Sequence, residues 1–226
     1  MKTLTTAITL SCLLLATAFS GDYSGKGISG KAITGKGVVH KADCLSYDFI
    51  DLDYSLVESD NVFLDDGSRY GISFSKSLGP VLYLAGSYSR GENDYIFGNQ
   101  YYDVDSDYFS LGLGAHFSLA ECVDFTLEGG LSYLDAEYGG NSGFDYDSWG
   151  YYIGPGLRAR WGRLEGYAKL LYIEREGVFG PYGAAAEGWV FQPGLLYHLN
   201  ETVALKVGAD LAESNSAVTF GARIHF

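Results

Sequence analysis

The chain has 226 residues, of which 19% are charged and 15% aromatic, with 31 glycines and 19 tyrosines. Its apolar content excludes a disordered chain, and the many tyrosines and glycines disfavour a helical bundle. A net charge of −13 disfavours nucleic acid as a partner, because phosphate binding needs a basic face. These numbers leave an all-β chain of barrel or sandwich size.

The first 20 residues have the pattern of a secretory signal peptide. Lys2 supplies a basic start, an apolar run covers residues 4–18, and small residues precede a cleavage point before Gly21. A signal peptide over residues 1–20 implies export into an oxidising compartment, where a disulfide persists.

Residues 21–43 repeat with a period of five, which matches neither a helix nor a strand. Glycine and serine are frequent in the repeat, so it predicts a flexible tether in the periplasm. A second interpretation is a basic segment that contacts an anionic partner in the periplasm. The repeated lysines are Lys26, Lys31, Lys36 and Lys41.

From residue 44 onward the apolar period is two, which is the period of a strand. In residues 109–119, apolar side chains at odd positions alternate with glycine, serine and histidine at even positions. The pattern predicts ten strands joined by alternately short and long connections. The predicted strands are 45–57, 68–77, 81–91, 107–118, 123–137, 147–161, 164–177, 187–199, 203–213 and 217–226. The predicted long connections are 58–67, 92–106, 138–146 and 178–186.

Alternating strands build either a soluble sandwich or a transmembrane barrel. The polar face here is mostly glycine, serine, tyrosine and charges, as a narrow barrel interior needs. Trp149 and Trp161 lie on the apolar face about 40 Å apart along the strand, at ~3.3 Å per residue. Together with Trp189 they are the predicted aromatic girdle. We therefore predict a closed, antiparallel, up-and-down transmembrane β-barrel over residues 44–226.

The chain ends on an alternating strand that contains Phe220, Ile224 and the terminal Phe226. This ending resembles the assembly signal of bacterial outer-membrane proteins. The stretches 83–88 and 110–117 are similar to the small outer-membrane β-barrel family that includes OmpX and the transmembrane domain of OmpA. The resemblance implies residence in outer-membrane lipid and insertion by the barrel-assembly machinery. Many members have eight strands, which is the alternative to ten.

Two prolines, Pro155 and Pro193, fall in the middle of predicted strands. Proline lacks the N–H that a ladder needs and is confined to edges or bulges. Since a closed barrel has no edge, we expect a bulge at each proline.

The predicted lumen carries six acidic and six basic side chains. Charges in a narrow interior must be paired or hydrated, because burying an unpaired charge is energetically costly. They predict either a salt-bridge network that fills the lumen or a narrow pore whose selectivity the charges set. These residues are Asp51, Asp53, Arg69, Asp124, Glu128, Arg158, Arg160, Glu165, Lys169, Lys206, Asp210 and Arg223.

Cys44 opens the first predicted strand, and Cys122 lies in the second short turn. Both positions belong to the predicted periplasmic end. A disulfide between them would cross the mouth of the barrel and requires Cα atoms within ~7 Å. Two separate thiols are the alternative.

The long connections are acidic. Asp103, Asp105 and Asp107 place three carboxylates at alternate positions, and calcium prefers oxygen ligands. The glycine and distal glutamate of an EF-hand loop are absent. We expect either solvated loops or divalent cations that bridge the loops to lipid phosphates.

No pattern predicts an enzyme or a cofactor. The sequence has no G-x-S-x-G motif and no histidines at the spacing of metal ligands. His116, His198 and His225 fall toward the predicted periplasmic ends of strands. The predicted function is a structural or surface-interaction role through acidic extracellular loops. A narrow porin-like channel is the first alternative, and a barrel enzyme acting at the rim is the second.

Overall fold

The alternating segments form ten antiparallel strands that close into a barrel, which confirms the predicted fold class and rules out eight strands. The computed structural model describes residues 44–59, 66–97, 100–139, 144–175, 187–213 and 215–226. The predicted signal peptide 1–20 and tether 21–43 lie outside these described residues. Within them, no helix is long and apolar enough to cross a membrane.

Each strand pairs with its neighbours in the chain, and β1 closes the ring against β10. The closing ladder runs from Phe49↔His225 to Ser59↔Asn215 without a register shift. The strands are β1 (Phe49–Ser59), β2 (Gly67–Ser77), β3 (Leu82–Phe97), β4 (Gln100–Ala120), β5 (Val123–Tyr138), β6 (Phe144–Trp161), β7 (Leu164–Arg175), β8 (Glu187–His198), β9 (Val203–Leu211) and β10 (Asn215–His225).

The barrel has two distinct ends. The turn end carries the short connections at residues 78–81, 121–122, 162–163 and 199–202, together with Cys44 and Phe226. The loop end carries the connections β1–β2, β3–β4, β5–β6, β7–β8 and β9–β10.

The distribution of polarity is the reverse of that in a soluble protein. Leu131 is 60% exposed on the outer face, whereas Asp51 and Glu165 are 2% and 0% exposed in the lumen. A soluble sandwich buries its apolar face, whereas a transmembrane barrel turns that face to lipid. The observed distribution therefore excludes the sandwich.

One predicted loop is wrong. Residues 92–97 and 100–106 form paired strand, because β3 and β4 continue side by side up to the pair Phe97↔Gln100. Apolar alternation stops before this point, but two strands in water still satisfy each other's backbone hydrogen bonds. Asp103, Asp105 and Asp107 therefore lie in β4 and do not form a loop.

The predicted bulges at the prolines are also wrong. The β6–β7 ladder runs to Ile153↔Tyr172 and resumes at Gly156↔Lys169 in the same register. The β8–β9 ladder is interrupted in the same way around Pro193. Each proline therefore removes ladder pairing locally and inserts no extra residue. The register shift in the described ladders lies between Ser118 and Ala120 of β4.

Candidate functional site in the barrel lumen

The candidate site is the polar lumen, to which strand alternation directs all twelve charged residues singled out in the sequence. The structure gathers ten of them into three clusters, and an eleventh, Asp124, contacts the residues that precede the first strand. Arg160 stands apart from the carboxylates and donates to the main-chain oxygens of Gly162 and Cys44.

Glu165 is the centre of the charge network nearest the turn end. Its carboxylate accepts hydrogen bonds from Arg158 Nε and Nη2 at 3.1 and 2.6 Å. His198 Nε2 lies 3.1 Å away, and Arg223 Nη1 lies 3.6 Å away. One buried carboxylate thus holds two guanidinium groups and an imidazole.

Asp51 extends the same network to β1. It accepts hydrogen bonds from Arg223 Nε and Nη2 at 2.7 and 2.9 Å. Lys206 Nζ bridges Asp51 and Asp53 at 2.9 and 2.8 Å. The turn-side network thus ties β1, β6, β7, β8, β9 and β10 together. It consists of Asp51, Asp53, Arg158, Glu165, His198, Lys206 and Arg223.

Residues Cys44–Asp48 precede β1 and lie within the turn end of the lumen, and we call them the strap. Tyr47 stacks on Tyr83 at 4.8 Å and on His116 at 4.2 Å between ring centroids. Its hydroxyl donates to Asp124 at 3.1 Å, and the Arg158 guanidinium lies 4.5 Å above its ring. Burial raises the pKa of the Tyr47 phenol, so it stays protonated as the donor.

A disulfide joins Cys44 to Cys122 with a Cα–Cα distance of 5.0 Å. It connects the first residue of the strap to the β4–β5 turn. Arg158 Nη1 also donates to the main-chain oxygen of Ser46 at 3.1 Å. The strap is therefore held by a covalent bond at one end and by polar contacts along its length.

Two smaller clusters lie beside the turn-side network. Glu128 accepts hydrogen bonds from Tyr83 at 3.1 Å and from Lys169 at 2.8 Å. Asp210 accepts hydrogen bonds from Arg69 at 2.5 Å and from Gln192 at 2.9 Å. Both clusters link strands that are not adjacent, so they brace the lumen across its width.

The lumen contains a cavity of about 290 Å³ with two different walls. Lys169, Lys206, Asp210 and Arg223 belong to a charged wall on β7, β9 and β10. The opposite wall is formed by hydroxyl side chains of β2, β3 and β4, and we call it the hydroxyl wall. Its residues are Ser73, Ser75, Ser87, Ser89 and Ser110.

Three lumen tyrosines lie against glycines of other strands, which gives these glycines a packing role. A Cβ built on Gly194 would lie 2.6 Å from Cε1 of Tyr167, and one built on Gly114 would lie 2.5 Å from Cε1 of Tyr83. Tyr152 reaches Gly112 of β4 with its hydroxyl group only. A missing side chain thus lets a ring lie flat on the barrel wall, as in aromatic rescue of glycine.

Sequence reasoning missed several lumen residues. Tyr47 was placed in a strand, and nothing in its pattern indicates a strap. Arg175 was placed at the end of a strand without a role, although its odd position in β7 directs it inward. Its guanidinium lies 5.1 Å from the Tyr108 ring centroid. Extending the alternation to the strand end would have found it.

The outer face carries the predicted girdle. Trp149 and Trp189 lie toward the loop end and Trp161 at the turn end of the exposed surface. Trp149 packs against Tyr133 at 5.0 Å between ring centroids. The terminal-strand residues Phe220, Ile224 and Phe226 all point outward, and Lys76 Nζ lies 5.0 Å from the Phe226 ring centroid.

On the outer face, carboxylates lie between the aromatic residues and the loop end of the barrel. Asp107 pairs with Asp135, which pairs with Asp147, so three acidic residues stand side by side on adjacent strands. Arg90 contacts Asp105 at 3.1 Å. We call these carboxylates the acidic rows; they are Glu92, Asp105, Asp107, Asp135, Glu137 and Asp147. In the described part of the chain, no three His, Cys, Asp or Glu converge to hold a metal ion.

His116, His198 and His225 all lie near the turn end of the lumen. His198 and His225 stack at 5.4 Å between ring centroids, and His116 Nδ1 lies 3.4 Å from Asp124. Each imidazole is packed among rings and charges of the lumen, on the side away from the loop end. His40 lies outside the described residues.

Comparison with known proteins identifies the family. Residues 39–164 match the model of the outer membrane protein beta-barrel domain. This match covers more than half of the chain, so the chain belongs to that family and its apolar outer face contacts outer-membrane lipid. No curated protein sequence matches the chain.

Similar solved structures are barrels with low sequence identity. The translocator domain of the autotransporter NalP from Neisseria meningitidis is 11% identical, with a TM-score of 0.50 over 79% of this chain and 88% of that chain. The outer membrane protein OprG from Pseudomonas aeruginosa is 12% identical, with a TM-score of 0.46 over 80% and 96%. The NanC porin is 8% identical, with a TM-score of 0.48 over 78% and 100%.

Proposed function

We propose that this outer-membrane barrel is closed to ions and has a structural or surface-interaction role, without catalysis. The observation that carries the proposal is the filled turn end. There the strap Cys44–Asp48 lies in the lumen beside the turn-side network, held by the disulfide and by the ring of Tyr47. Paired charges packed in this way leave little room for hydrated ions.

Orientation follows from the connections β1–β2, β5–β6 and β7–β8, each of which is longer than any connection at the turn end, while β3 and β4 extend farther on the same side. Short turns of outer-membrane barrels face the periplasm and longer loops face outward. We therefore place the turn end, with the strap, in the periplasm and the acidic rows at the outer surface. Their negative charge would attract basic surfaces, or divalent cations shared with lipid phosphates.

Single-channel conductance of the refolded full chain in a planar bilayer tests the closed barrel. We expect no steady conductance in the oxidised protein. Steady conductance in that state would overturn the proposal. A parallel measurement with reductant identifies which part of the turn end closes the lumen. No conductance with reductant indicates that the turn-side network closes it. Conductance only with reductant indicates that the strap closes it.

A narrow porin-like channel is the second candidate. The cavity of about 290 Å³ favours it, because the lining extends from Asp51 near the turn end to Arg69 and Ser89 toward the loop end. In that case Arg158→Ala should change ion selectivity as well as current size, since Arg158 stands beside the strap. A variant current with unchanged selectivity would count against this candidate.

We also infer that the end of β10, with Phe220, Ile224 and the terminal Phe226, is the assembly signal. Outer-membrane barrels are in general inserted by the barrel-assembly machinery, and the Phe226 ring is exposed at the turn end. Phe226→Ala should slow insertion into vesicles that contain the machinery, while spontaneous folding into detergent stays unchanged. Phe117→Ala, on the outer face of β4 near the turn end, is the matched control. Insertion of Phe226→Ala at the wild-type rate would contradict the inference.

A further inference from the structure

We propose that the lumen cavity is a binding site for a small, uncharged, polyhydroxylated solute of monosaccharide size that enters from the loop end. The cavity volume of about 290 Å³ lies near the lower end of the ~300–1,000 Å³ typical of small-molecule pockets. The cavity therefore has the size of a site for one compact ligand.

Access is from one side. Leu45, Tyr47 and Tyr83 form a buried apolar cluster at the turn end. Behind it the disulfide and the main-chain contacts of Arg158 hold the strap in place. The cavity lining continues in the other direction to Arg69 and Tyr108. A ligand from outside the cell would thus reach the cavity without crossing the barrel.

The charges of the cavity argue for an uncharged ligand. Every basic residue in the lining already has a carboxylate partner: Arg69 with Asp210, Lys169 with Glu128, Lys206 with Asp51 and Asp53, Arg223 with Asp51, and Arg158 with Glu165. A ligand with a net charge would enter a confined site where no counter-charge is free. Desolvating a charge without a partner is strongly unfavourable. The site therefore selects against ions of either sign.

The opposite wall argues for hydroxyl groups. The hydroxyl wall presents groups that both donate and accept hydrogen bonds and carry no charge. Tyr83 and Tyr167 add aromatic surface, because each ring lies on a glycine and can face the cavity with its other side. Tyr152 also belongs to the cavity lining. A sugar ring combines hydroxyl groups with apolar C–H faces, which suits a pocket of aromatic surface with placed polar groups.

Titration with three sugars of similar size tests the class of ligand. We would follow backbone amide chemical shifts of the full chain in phosphocholine micelles, which contain no sugar, during additions of glucose, glucuronate and glucosamine. We expect saturable shifts of lumen residues with glucose, and at least tenfold weaker binding of the anionic and cationic sugars. Equal or tighter binding of either charged sugar, or no saturable binding of any, would overturn the proposal.

A matched pair of variants tests the location. Ser73→Leu fills the cavity from the hydroxyl wall, whereas Ser68→Leu lies on the same strand and faces outward. Glucose binding should be lost in the first and kept in the second, with both folded by the heat-modifiable gel shift. Binding retained in a folded Ser73→Leu would place the ligand elsewhere.

If the Ser73→Leu variant does not fold, a second measurement on the wild-type protein tests the location of the site. Intermolecular NOEs should connect glucose protons to the ring protons of tyrosines in the wild-type protein. Their absence under saturating glucose would overturn the site. Binding and conductance are separate readouts, so failure of this site leaves the closed barrel standing, and the reverse holds as well.

Discussion

The turn half and the loop half of the barrel use the same charged residue types in different surroundings. In the turn half, Glu165 and Arg158 have side chains only 1% and 7% exposed. Toward the loop half, Arg69 and Asp210 are 36% and 29% exposed. A buried ion pair is costly to break, because one charge is left without water or partner, whereas an exposed pair contributes little. Burial therefore decides how much each pair matters.

Replacing Glu165 should give the largest loss of stability. Glu165→Gln removes the charge that faces Arg158, Arg223 and His198. The free energy of unfolding should fall by about 3–5 kcal/mol, the usual cost of breaking a buried pair. Urea titration in lipid vesicles, read from folded and unfolded gel bands, measures it. Asp210→Asn is the control from the more exposed cluster and should cost about 1 kcal/mol or less. Equal losses would contradict the distinction between the two halves.

Removing the disulfide should have the next largest effect. Cys44 and Cys122 are 78 residues apart, so the cross-link restricts a long loop in the unfolded chain. The double variant Cys44→Ser, Cys122→Ser should lose about 2–4 kcal/mol in the same urea titration. Reductant should shift the wild type by a similar amount and leave the double variant unchanged. A shift of the double variant with reductant would mean that the effect has another source.

Filling the space under a lumen tyrosine should have a moderate effect. Gly194→Ala places a methyl group against Tyr167, and overpacking of this kind costs about 1–3 kcal/mol. Tyr167→Leu in the same background should recover part of the loss, because the clash disappears. Gly129→Ala is the lipid-facing control, where the nearest atom to a built Cβ is 3.2 Å away, and its loss should be smaller. A larger loss in Gly129→Ala would rule out the ring as the cause.

The acidic rows should show the smallest effects, with opposite signs. Asp135→Asn removes a carboxylate between Asp107 and Asp147 and should raise the urea midpoint slightly, because like charges on adjacent strands repel. Asp105→Asn removes the nearer of the two carboxylates that contact Arg90 and should lower the urea midpoint slightly. High salt should erase both shifts, since exposed charges are screened. Shifts that persist in high salt would exclude an electrostatic origin.

Periodicity in the sequence was sufficient for the strands inside the lipid band. There the two faces meet different surroundings, so apolar side chains at every second position mark both the strand and its orientation. Outside that band the signal fails, and the sequence predicts a loop over residues 92–106 although β3 and β4 remain paired. Aromatic and aliphatic residues occur there at consecutive positions, as at 95–97, so alternation no longer distinguishes paired strand from loop.

Alternation also predicted which charges face the lumen, but it could not predict their partners. Lys206 and Asp51 are 155 residues apart in sequence and meet only because β1 closes the ring next to β10. The bonding of Arg69 to Asp210 depends on the same closure. Which charges pair is a consequence of register and strand order, and neither can be read from residue spacing.

The sequence by itself determined the class of fold, the number of strands and the inward direction of the charges, because these follow from local alternation with a period of two. Only the tertiary structure decided that Cys44–Asp48 enters the lumen, that Tyr167 lies over Gly194, and that a cavity remains between a charged and a hydroxyl wall. These features depend on distances across the closed barrel, to which no local pattern is sensitive.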